Sequence, residues 1–422
     1  MPREIANCRI CNNRQLVPLL HLGEQCLTGI FPKSPAEPIT RGPLELVKCD
    51  GPDCCGLVQL RHSYDPAEMY GADYGYRSSL NKSMVAHLRE KVAKLIALAP
   101  PQPGDIVLDI GSNDGTLLSF YPPGPTAVGM DPTAAKFREH YQPHIGVVAD
   151  FFSAAAFKAH FGTGKAKLIT SVAMFYDLDA PIEFVAQVAE ILDDEGIWHF
   201  EQSYLPAMLA RNAYDTICHE HVEYYALRQI QWMMSRCGLK IIALESNDVN
   251  GGSFAVTVAK ASSRHAEDTA AVSAMLASEA EQGLHTLAPY EAFRERVFRH
   301  RDALLGLLSD LSRQGAKVLG YGASTKGNVI LQFCGITPAQ IPFVAEVNPD
   351  KFGKFTPGTH IPIISETEAH AMKPDCLLVM PWHFRDNLVK RETAYLQRGG
   401  RMIFPLPEIE IIGREGAGSA SE

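Results

Sequence analysis

The chain has 422 residues and a formal net charge of −9, with 46% hydrophobic and 21% charged residues. These values describe a globular protein longer than one ordinary domain and exclude a disordered chain. The acidic balance, without a long basic run, argues against nucleic acid as a partner. No apolar run reaches the roughly eighteen residues that span a membrane, and the N-terminus lacks a signal-peptide core. We therefore expect a cytoplasmic protein without a membrane partner.

The N-terminal part of the chain is rich in turns and cysteine. Cys8 and Cys11 form a C-x-x-C pair, and Cys49, Cys54 and Cys55 form a second cluster. Four thiolates from two such clusters make a closed tetrahedral zinc site, which stabilises a module with a small core. We predict structural zinc bound by Cys8, Cys11, Cys49 and Cys55, with Cys54 as the alternative fourth ligand. Two further residues compete as ligands, His21 and Cys26.

A helix is predicted over 81–98, where apolar residues recur on one face. It ends before the proline-rich segment 100–103. The segment VLDIGSNDGTLL at 107–118 then reads as an apolar strand, a glycine-bounded turn and the start of a helix. In an open α/β sheet, such a turn lies at the carboxyl end of a strand, where nucleotide-like ligands bind.

This glycine turn also predicts the cofactor. Gly111 allows a tight turn, and Gly115 lets the backbone approach a ligand, with Asn113 between them. Asp109 closes the strand, and Asp131 follows at about the offset of a carboxylate that binds ribose hydroxyls. Because the spacing is not G-x-G-x-x-G, a dinucleotide is disfavoured. We predict that these five residues bind S-adenosylmethionine, with an ordinary strand-to-helix turn as the alternative.

Strands and helices alternate after this turn, which predicts a parallel, doubly wound sheet. The predicted strands lie at 107–110, 127–130, 166–172 and 197–200, with a helix at 180–192. Two closing strands, 239–244 and 253–259, are predicted to form an antiparallel edge.

The segment TICHEHVEYY at 216–225 is dense in titratable groups and follows the exit of a predicted strand. A carboxylate next to an imidazole can orient and tune a general base, which makes Glu220 and His221 catalytic candidates. His219 is another candidate base. A zinc site formed by His219 and His221 is an alternative, although H-x-H on a loop lacks the usual i, i+4 geometry. A structural polar network is the other alternative.

A helix-prone connector leads to a second α/β unit, with further strands predicted at 343–347, 376–379 and 401–404. Its glycine turn, GYGASTKG at 320–327, contains Tyr321. The hydroxyls of Ser324 and Thr325 and the ammonium of Lys326 suit a diphosphate. The loop PGTH at 357–360 is predicted to flank the same ligand through His360. An ordinary strand-to-helix turn is again the alternative.

Taken in order, these motifs resemble the zinc-containing C-methyltransferases that act on nucleotide-linked 4-keto-deoxysugars. The resemblance includes CGLVQ at 55–59, YGYRSS at 74–79, NGGS at 250–253, GYGASTKG at 320–327 and PGTHIP at 357–362. It implies an α/β protein with an N-terminal zinc-binding module and a Rossmann-like methyltransferase domain. A C-terminal Rossmann-like α/β domain would help to hold the nucleotide-linked sugar.

The resemblance also implies methyl transfer to the carbon next to a ketone, after that carbon has lost a proton. It makes His221 the base, Glu220 its orienting partner and Tyr76 a hydrogen-bonding group over the sugar, and it adds Asn250 to the substrate-binding residues. Asp177 lies in a region where many members carry an asparagine and a histidine. The alternatives are an inactive sugar-nucleotide binding protein and a sugar-nucleotide epimerase or oxidoreductase.

We predict five segments and a monomer or weak homo-oligomer. The segments are a zinc-binding module at 1–66, a methyltransferase domain at 67–260, a helical connector at 261–315, a C-terminal domain at 316–413 and a disordered tail at 414–422.

Overall fold

The computed structural model describes residues 2–70 and 76–413. The tail predicted at 414–422, and Tyr74 and Gly75 of the YGYRSS motif, lie outside the described residues. The N-terminal elements are β1 (Arg3–Glu4), β2 (Leu16–Cys26), β3 (Arg41–Cys49), β4 (Val58–Leu60), β5 (His62–Ser63) and α1 (Pro66–Met69).

The two long strands of this region, β2 and β3, form an antiparallel hairpin that the sequence did not predict. Their pairing has register shifts between Pro18 and Leu20 and between His21 and Glu24. These irregularities break the period-two alternation by which a half-buried strand is recognised.

The central region contains the predicted doubly wound sheet, in the order β12-β13-β10-β9-β6-β7-β8. β13 is antiparallel to β10 and β12, and the other pairs are parallel. Its strands are β6 (Ile106–Ile110), β7 (Thr126–Met130), β8 (Gly146–Val148), β9 (Ala166–Val172), β10 (Leu192–Ser203), β12 (Leu239–Asn247) and β13 (Ser253–Lys260). Its helices are α2 (Lys82–Leu98), α3 (Ala154–Phe161), α4 (Pro181–Ile191), α5 (Leu205–Ala210) and α6 (Leu227–Arg236).

One short strand of the central region, β11 (Glu223–Tyr224), joins the N-terminal sheet instead. It pairs antiparallel with β4, with Glu223 opposite Gln59 and Tyr224 opposite Val58. The segment that carries the predicted base therefore runs directly into the cysteine-rich module.

The C-terminal region has a second sheet in the order β16-β15-β14-β17-β18-β19, in which only the β18–β19 pairing is antiparallel. Its strands are β14 (Val318–Tyr321), β15 (Val344–Glu346), β16 (Ile363–Ser365), β17 (Cys376–Val379), β18 (Arg401–Phe404) and β19 (Glu410–Ile412). The helices of this part of the chain are α7 (Thr269–Glu281), α8 (Ala288–Arg313), α9 (Thr325–Phe333), α10 (Glu366–Ala371), α11 (Arg385–Arg391) and α12 (Thr393–Gln397). The unpredicted strands β8, β16 and β19 have three residues each, too few to show a periodic pattern.

Helix α8 joins the N-terminal and C-terminal regions. Its buried residues recur at helical spacing, from Tyr290 and Phe293 to Leu308 and Leu311, and the helix packs against β2 and β14. One apolar cluster consequently extends from the β2–β4 sheet through α5 and α8 into the C-terminal sheet. None of the helices within residues 2–70 and 76–413 has the length and apolar character needed to cross a membrane.

Candidate active site

Four cysteine sulfurs of the N-terminal region converge on one point. The Sγ atoms of Cys8, Cys11, Cys49 and Cys55 all lie within 4.8 Å of one another. Cys8 and Cys55 are 3.5 Å apart, and Cys11 and Cys49 are 3.4 Å apart. A tetrahedral zinc ion with bonds of about 2.3 Å separates its sulfurs by about 3.8 Å, so the cluster fits zinc. Four thiolates leave no open coordination position, which makes the site structural.

The competing ligands have other contacts. The Cys54 thiol donates to the carbonyl of Cys49 at 3.5 Å. His21 Nδ1 accepts the backbone N–H of Gly23 at 2.8 Å. Cys26 binds Gln332 through its backbone N–H and carbonyl. The structure therefore favours Cys55 over Cys54 as the fourth ligand.

A cavity of about 280 Å³ lies at the carboxyl ends of β6 and β7. Its lining includes four of the five residues predicted to bind the cofactor, Asp109, Gly111, Asn113 and Asp131. The fifth, Gly115, packs against the ring of Tyr141 instead. A Cβ on Gly115 would lie only 2.7 Å from that ring. The sequence did not indicate several other lining residues, among them Phe151, Phe152, Thr133 and Met174.

Asp131 holds the glycine turn against the end of β7. Its Oδ2 accepts the backbone N–H of Asn113 at 2.8 Å, and its Oδ1 accepts the backbone N–H and hydroxyl of Thr133, both at 2.6 Å. A carboxylate has about four acceptor sites, so one remains for a ligand hydroxyl. This arrangement fits the predicted ribose contact.

Asp109 is the second carboxyl group of the cavity. Burial raises its pKa to about 7, although the hydroxyl of Thr170 donates to Oδ1 at 2.6 Å and opposes the shift. A cationic ligand in the cavity would favour the ionised form. The pair of Asp109 and Asp131 thus fits a ligand with hydroxyls and positive charge, as S-adenosylmethionine has.

Asn113 fastens a covering segment to the glycine turn. Its Oδ1 accepts the backbone N–H of Ser78 at 3.0 Å, and its Nδ2 donates to the carbonyl of Tyr76 at 3.1 Å. Asp114 accepts the backbone N–H of Ser79 at 3.0 Å. Tyr76 lines the cavity with 48% of its surface exposed, so the structure places this predicted residue at the cavity mouth.

His221 lies beside the wall of this cavity. Its Nδ1–H donates to the carbonyl of Thr216 at 3.0 Å, which fixes the neutral tautomer and leaves the Nε2 lone pair available. The ring packs on Tyr176, with ring centroids 4.2 Å apart, and the next residue, Asp177, lines the cavity. Burial, and then the charge of Lys326, lower the pKa of His221 to about 3, so the ring is neutral at physiological pH.

Glu220 does not orient His221, and this part of the prediction was wrong. Its Oε2 accepts the hydroxyl of Thr28 at 3.1 Å, and its Oε1 lies so close to Gly29 that a Cβ there would be only 2.6 Å away. Burial raises the pKa of Glu220. The orienting group of His221 is the carbonyl of Thr216, a backbone atom without a sequence signal.

His219 belongs to the N-terminal module. Its ring makes an edge contact with Tyr64 at a centroid distance of 4.5 Å, and burial lowers its pKa to about 4. It is fully buried, away from the partners of His221. Among the described residues, the group that could hold a metal ion is the cysteine cluster, which includes neither His219 nor His221.

Three of the predicted substrate-binding residues approach this region. Lys326 Nζ donates to the carbonyl of Asn250 at 2.8 Å, and the Lys326 charge acts on both His221 and Asp215. Thr325 lies close to Gly29 of the N-terminal region, since a Cβ on Gly29 would be 3.9 Å from Thr325 Oγ1. The same Cβ would also contact Glu220. All three regions of the molecule therefore meet beside the predicted base.

The other three have different surroundings. Ser324 caps helix α9 by accepting the backbone N–H of Gly327 at 3.0 Å. The buried hydroxyl of Tyr321 donates to Glu392 at 2.6 Å. His360 is exposed and has a φ of 55°. A substrate role for these three residues remains a prediction without a supporting contact among the described residues.

In comparisons with known proteins, each of the three regions matches a protein family. Residues 8–70 match a family described as "Putative zinc binding domain", 84–244 one described as "Methyltransferase domain", and 248–407 one described as "C-methyltransferase C-terminal domain". The sequence is 31% identical over 422 residues to the C-methyltransferase NovU of Streptomyces niveus, covering 98% of each chain. The chain belongs to the C-methyltransferase family.

Solved structures similar to this C-methyltransferase include the plantazolicin methyltransferase BpumL in complex with SAH. That structure has 12% identity and a TM-score of 0.35, and the match covers 42% of this chain and 84% of that one. The YcgJ protein of Bacillus subtilis has 15% identity and a TM-score of 0.32, with coverages of 42% and 98%. Scores this low carry no argument about function.

The family and its domains confirm several predictions. The C-methyltransferase has an α/β fold with Rossmann-like sheets, it depends on S-adenosylmethionine, and its cysteine cluster belongs to a zinc-binding domain.

Proposed function

We propose that this C-methyltransferase methylates the carbon next to the ketone of a nucleotide-linked 4-keto sugar, after deprotonation to an enolate. One observation carries the proposal: the His221 ring, held through Nδ1 by the Thr216 carbonyl, packs on Tyr176 beside the wall of the cofactor cavity, which leaves Nε2 to act on a substrate. An unprotonated imidazole can accept a carbon-bound proton, and the negative charge that develops on the substrate beside it favours the imidazolium.

In the proposed first step, His221 Nε2 takes the proton of the carbon next to the ketone. The Thr216 carbonyl accepts the Nδ1–H and stabilises the imidazolium that forms. The electron pair moves onto the ketone oxygen, and the nearby Lys326 ammonium offsets negative charge on the substrate.

S-adenosylmethionine supplies the electrophilic methyl group. Asp131 and Asp109, at the ends of β7 and β6, would hold the cofactor, and Tyr76 would cover it at the cavity mouth. The enolate carbon would form a bond to that methyl group as the sulfur–methyl bond breaks, which leaves S-adenosylhomocysteine. Catalysis is then largely the alignment of two bound ligands, with the attacking carbon and the methyl group in line.

The nucleotide half of the substrate has a candidate groove of about 1370 Å³ between the central and C-terminal regions. It is lined by five basic side chains, Arg211, Arg296, Arg299, Arg385 and Lys390. Trp382 and His383 also line it, and burial followed by the charge of Lys326 lowers the pKa of His383 well below its ordinary value. Lys326 does not line this groove, but its charge acts both on His383, which does, and on His221.

A transfer assay tests the proposal. Purified protein is incubated with methyl-labelled S-adenosylmethionine and a panel of nucleotide-linked 4-keto sugars, and the product is analysed by mass spectrometry and NMR. We expect label on a carbon next to the ketone of at least one sugar. Labelling of an oxygen, or of none of the panel despite measured cofactor binding, would contradict the substrate assignment.

We further propose the domain boundaries given above and a cytoplasmic monomer or weak homo-oligomer. Ten free cysteines, four of which form the metal cluster, suit a reducing compartment. Size-exclusion chromatography with light scattering tests the oligomeric state.

A further inference from the structure

Arg9 lies inside the first cysteine pair, between Cys8 and Cys11, and its side chain is only 2% exposed. All three guanidinium nitrogens donate hydrogen bonds. The acceptors are Asp179 Oδ1 at 3.2 Å, Gln59 Oε1 at 3.3 Å, the Leu60 carbonyl at 2.6 Å, Ser63 Oγ at 2.8 Å and the His62 carbonyl at 3.5 Å. The planar guanidinium has a fixed geometry, so these partners are held in one arrangement.

The first of these partners, Asp179, belongs to the wall of the cofactor cavity. The hydroxyl of Ser63 donates to the same carboxylate oxygen that accepts from Arg9. Asp177, two residues earlier, lines the cavity as well. The cysteine-rich module thereby fixes one wall of the cavity from outside the methyltransferase sheet.

Two other partners connect Arg9 to the segment of the base. Gln59 and Leu60 belong to β4, which pairs with β11. The backbone N–H of Leu60 donates to the carbonyl of Val222 at 2.8 Å, one residue after His221. Arg9 also acts on the next residue, Glu223: burial raises the pKa of Glu223 well above its ordinary value, and the Arg9 charge opposes this shift.

We propose that Arg9 is a positioning residue through which the zinc site sets both the cofactor-cavity wall and the strand that follows the base. The inference rests on the proposed function for the identity of the cavity and the base. Zinc held by Cys8 and Cys11 would fix the backbone between them, and the buried guanidinium would transmit this position to Asp179 and to β4. A desolvated charge with a full set of partners tolerates few other arrangements.

The test uses the full-length zinc-loaded protein and S-adenosylhomocysteine as the probe, so no sugar substrate is needed. The variants are Arg9→Gln, Arg9→Lys and Asp179→Asn, with Arg3→Gln as the matched control. Arg3 binds the other oxygen of Asp179 at 2.9 Å, but its side chain is 71% exposed. Zinc content is measured by elemental analysis and affinity by calorimetry.

We expect all variants to keep the zinc content of the original protein. Arg9→Gln and Asp179→Asn should each weaken the affinity about tenfold, because a buried charge-assisted contact is lost, and the double variant should be little worse than either. Arg9→Lys should recover part of the loss. Arg3→Gln should change the affinity less than about twofold, since exposed ion pairs contribute little.

Loss of zinc from Arg9→Gln would overturn the inference, since the residue would then support the metal site itself. An unchanged affinity in Asp179→Asn would also overturn it, and this variant leaves the other contacts of Arg9 in place. A failed transfer assay with these binding results intact would instead count against the sugar substrate.

Discussion

The turn after β6 and the turn after β14 both have a glycine at positive φ, Gly111 at 74° and Gly322 at 84°, but their surroundings differ. Gly111 lines the cofactor cavity together with Met174. At Gly322, a Cβ would lie 2.6 Å from the side chain of Pro381, which follows β17. Both glycine turns mark a close approach of the chain, since a Cβ on Gly111 would lie 3.0 Å from Met174, but only the approach at Gly111 borders the cofactor cavity.

Two acidic residues, Asp131 directly after β7 and Glu346 at the end of β15, also differ in their surroundings. Asp131 lines the cavity and keeps acceptor capacity for a ligand. The carboxylate of Glu346 accepts the backbone N–H groups of Ala323, Val347 and Asn348 at 2.7–2.9 Å. Both carboxylates accept three hydrogen bonds, so the turns differ in their surroundings: Asp131 lines the cofactor cavity, whereas Pro381 closes the C-terminal turn against Gly322.

The closed turn also serves as a docking surface for the N-terminal region. Asn328 donates to the carbonyl of Thr28 at 2.8 Å, and the Lys351 ammonium lies 4.4 Å from the ring centroid of Phe31. The C-terminal region also carries Lys326, whose charge acts on the proposed base His221. The second α/β unit thus contributes a side chain to the proposed chemistry.

The largest expected effect concerns the base beside the open turn. His221→Ala should lower the rate of methyl transfer by about 10³-fold, within the usual range for a general base, while calorimetry shows unchanged affinity for S-adenosylhomocysteine. His144→Ala, at an exposed position, is the control. Equal losses of rate and of cofactor affinity would mean that His221 supports the fold.

The matched pair Asp131→Asn and Glu346→Gln tests the comparison directly. Asp131→Asn should weaken S-adenosylhomocysteine affinity about thirtyfold, because a carboxylate that accepts from backbone and ligand is lost. Glu346→Gln should change that affinity less than about twofold but lower the melting temperature. If the two variants weakened cofactor binding alike, the closed turn would have to be reconsidered as a cofactor site.

Lys326→Gln should raise KM for the nucleotide-linked sugar about tenfold, because one charge-assisted contact to the substrate is lost. Cofactor affinity should not change. Lys317→Gln, at the exposed residue before β14, is the control. If only the KM for S-adenosylmethionine rose, Lys326 would interact with the cofactor and not with the sugar substrate.

A smaller effect concerns pH. Asp109 has a pKa of about 7, so it ionises as the pH rises through that value and then attracts a cationic cofactor. Affinity for S-adenosylmethionine should therefore increase about threefold from pH 6 to pH 8, relative to an Asp109→Asn variant over the same range. Parallel pH profiles for the two proteins would show that Asp109 does not titrate against the ligand.

The proposed deprotonation by His221 should not slow the reaction at the acidic end of the same pH range. His221 has a pKa lowered to about 3, and an imidazole acts as a base only when it is unprotonated. The rate of the transfer step should therefore not fall through protonation of His221 between pH 5 and pH 8. A limb near pH 6.5 that disappears in His221→Ala would show that the ring is solvated in the active protein.

The sequence predicted those parts of the site whose signals are local. The apolar strand before Gly111 and the acid after the next strand lie within one short stretch, and so do the cysteine clusters. Closure of the second turn depends on Pro381, about sixty residues from Gly322. The orienting carbonyl of Thr216 is a backbone atom, and the partner of Glu220 lies 192 positions away, at Thr28. Contacts of these two kinds have no spacing pattern.

The pairing of β11 with β4 has a consequence for how the protein is made. Its two strands lie more than 160 residues apart, so the ladder cannot form until the chain has been synthesised past Tyr224. A shortened chain beginning at residue 67 would present β11 as an unprotected edge, open to association with other chains. Activity and resistance to aggregation should therefore be lost together when the cysteine-rich module is removed.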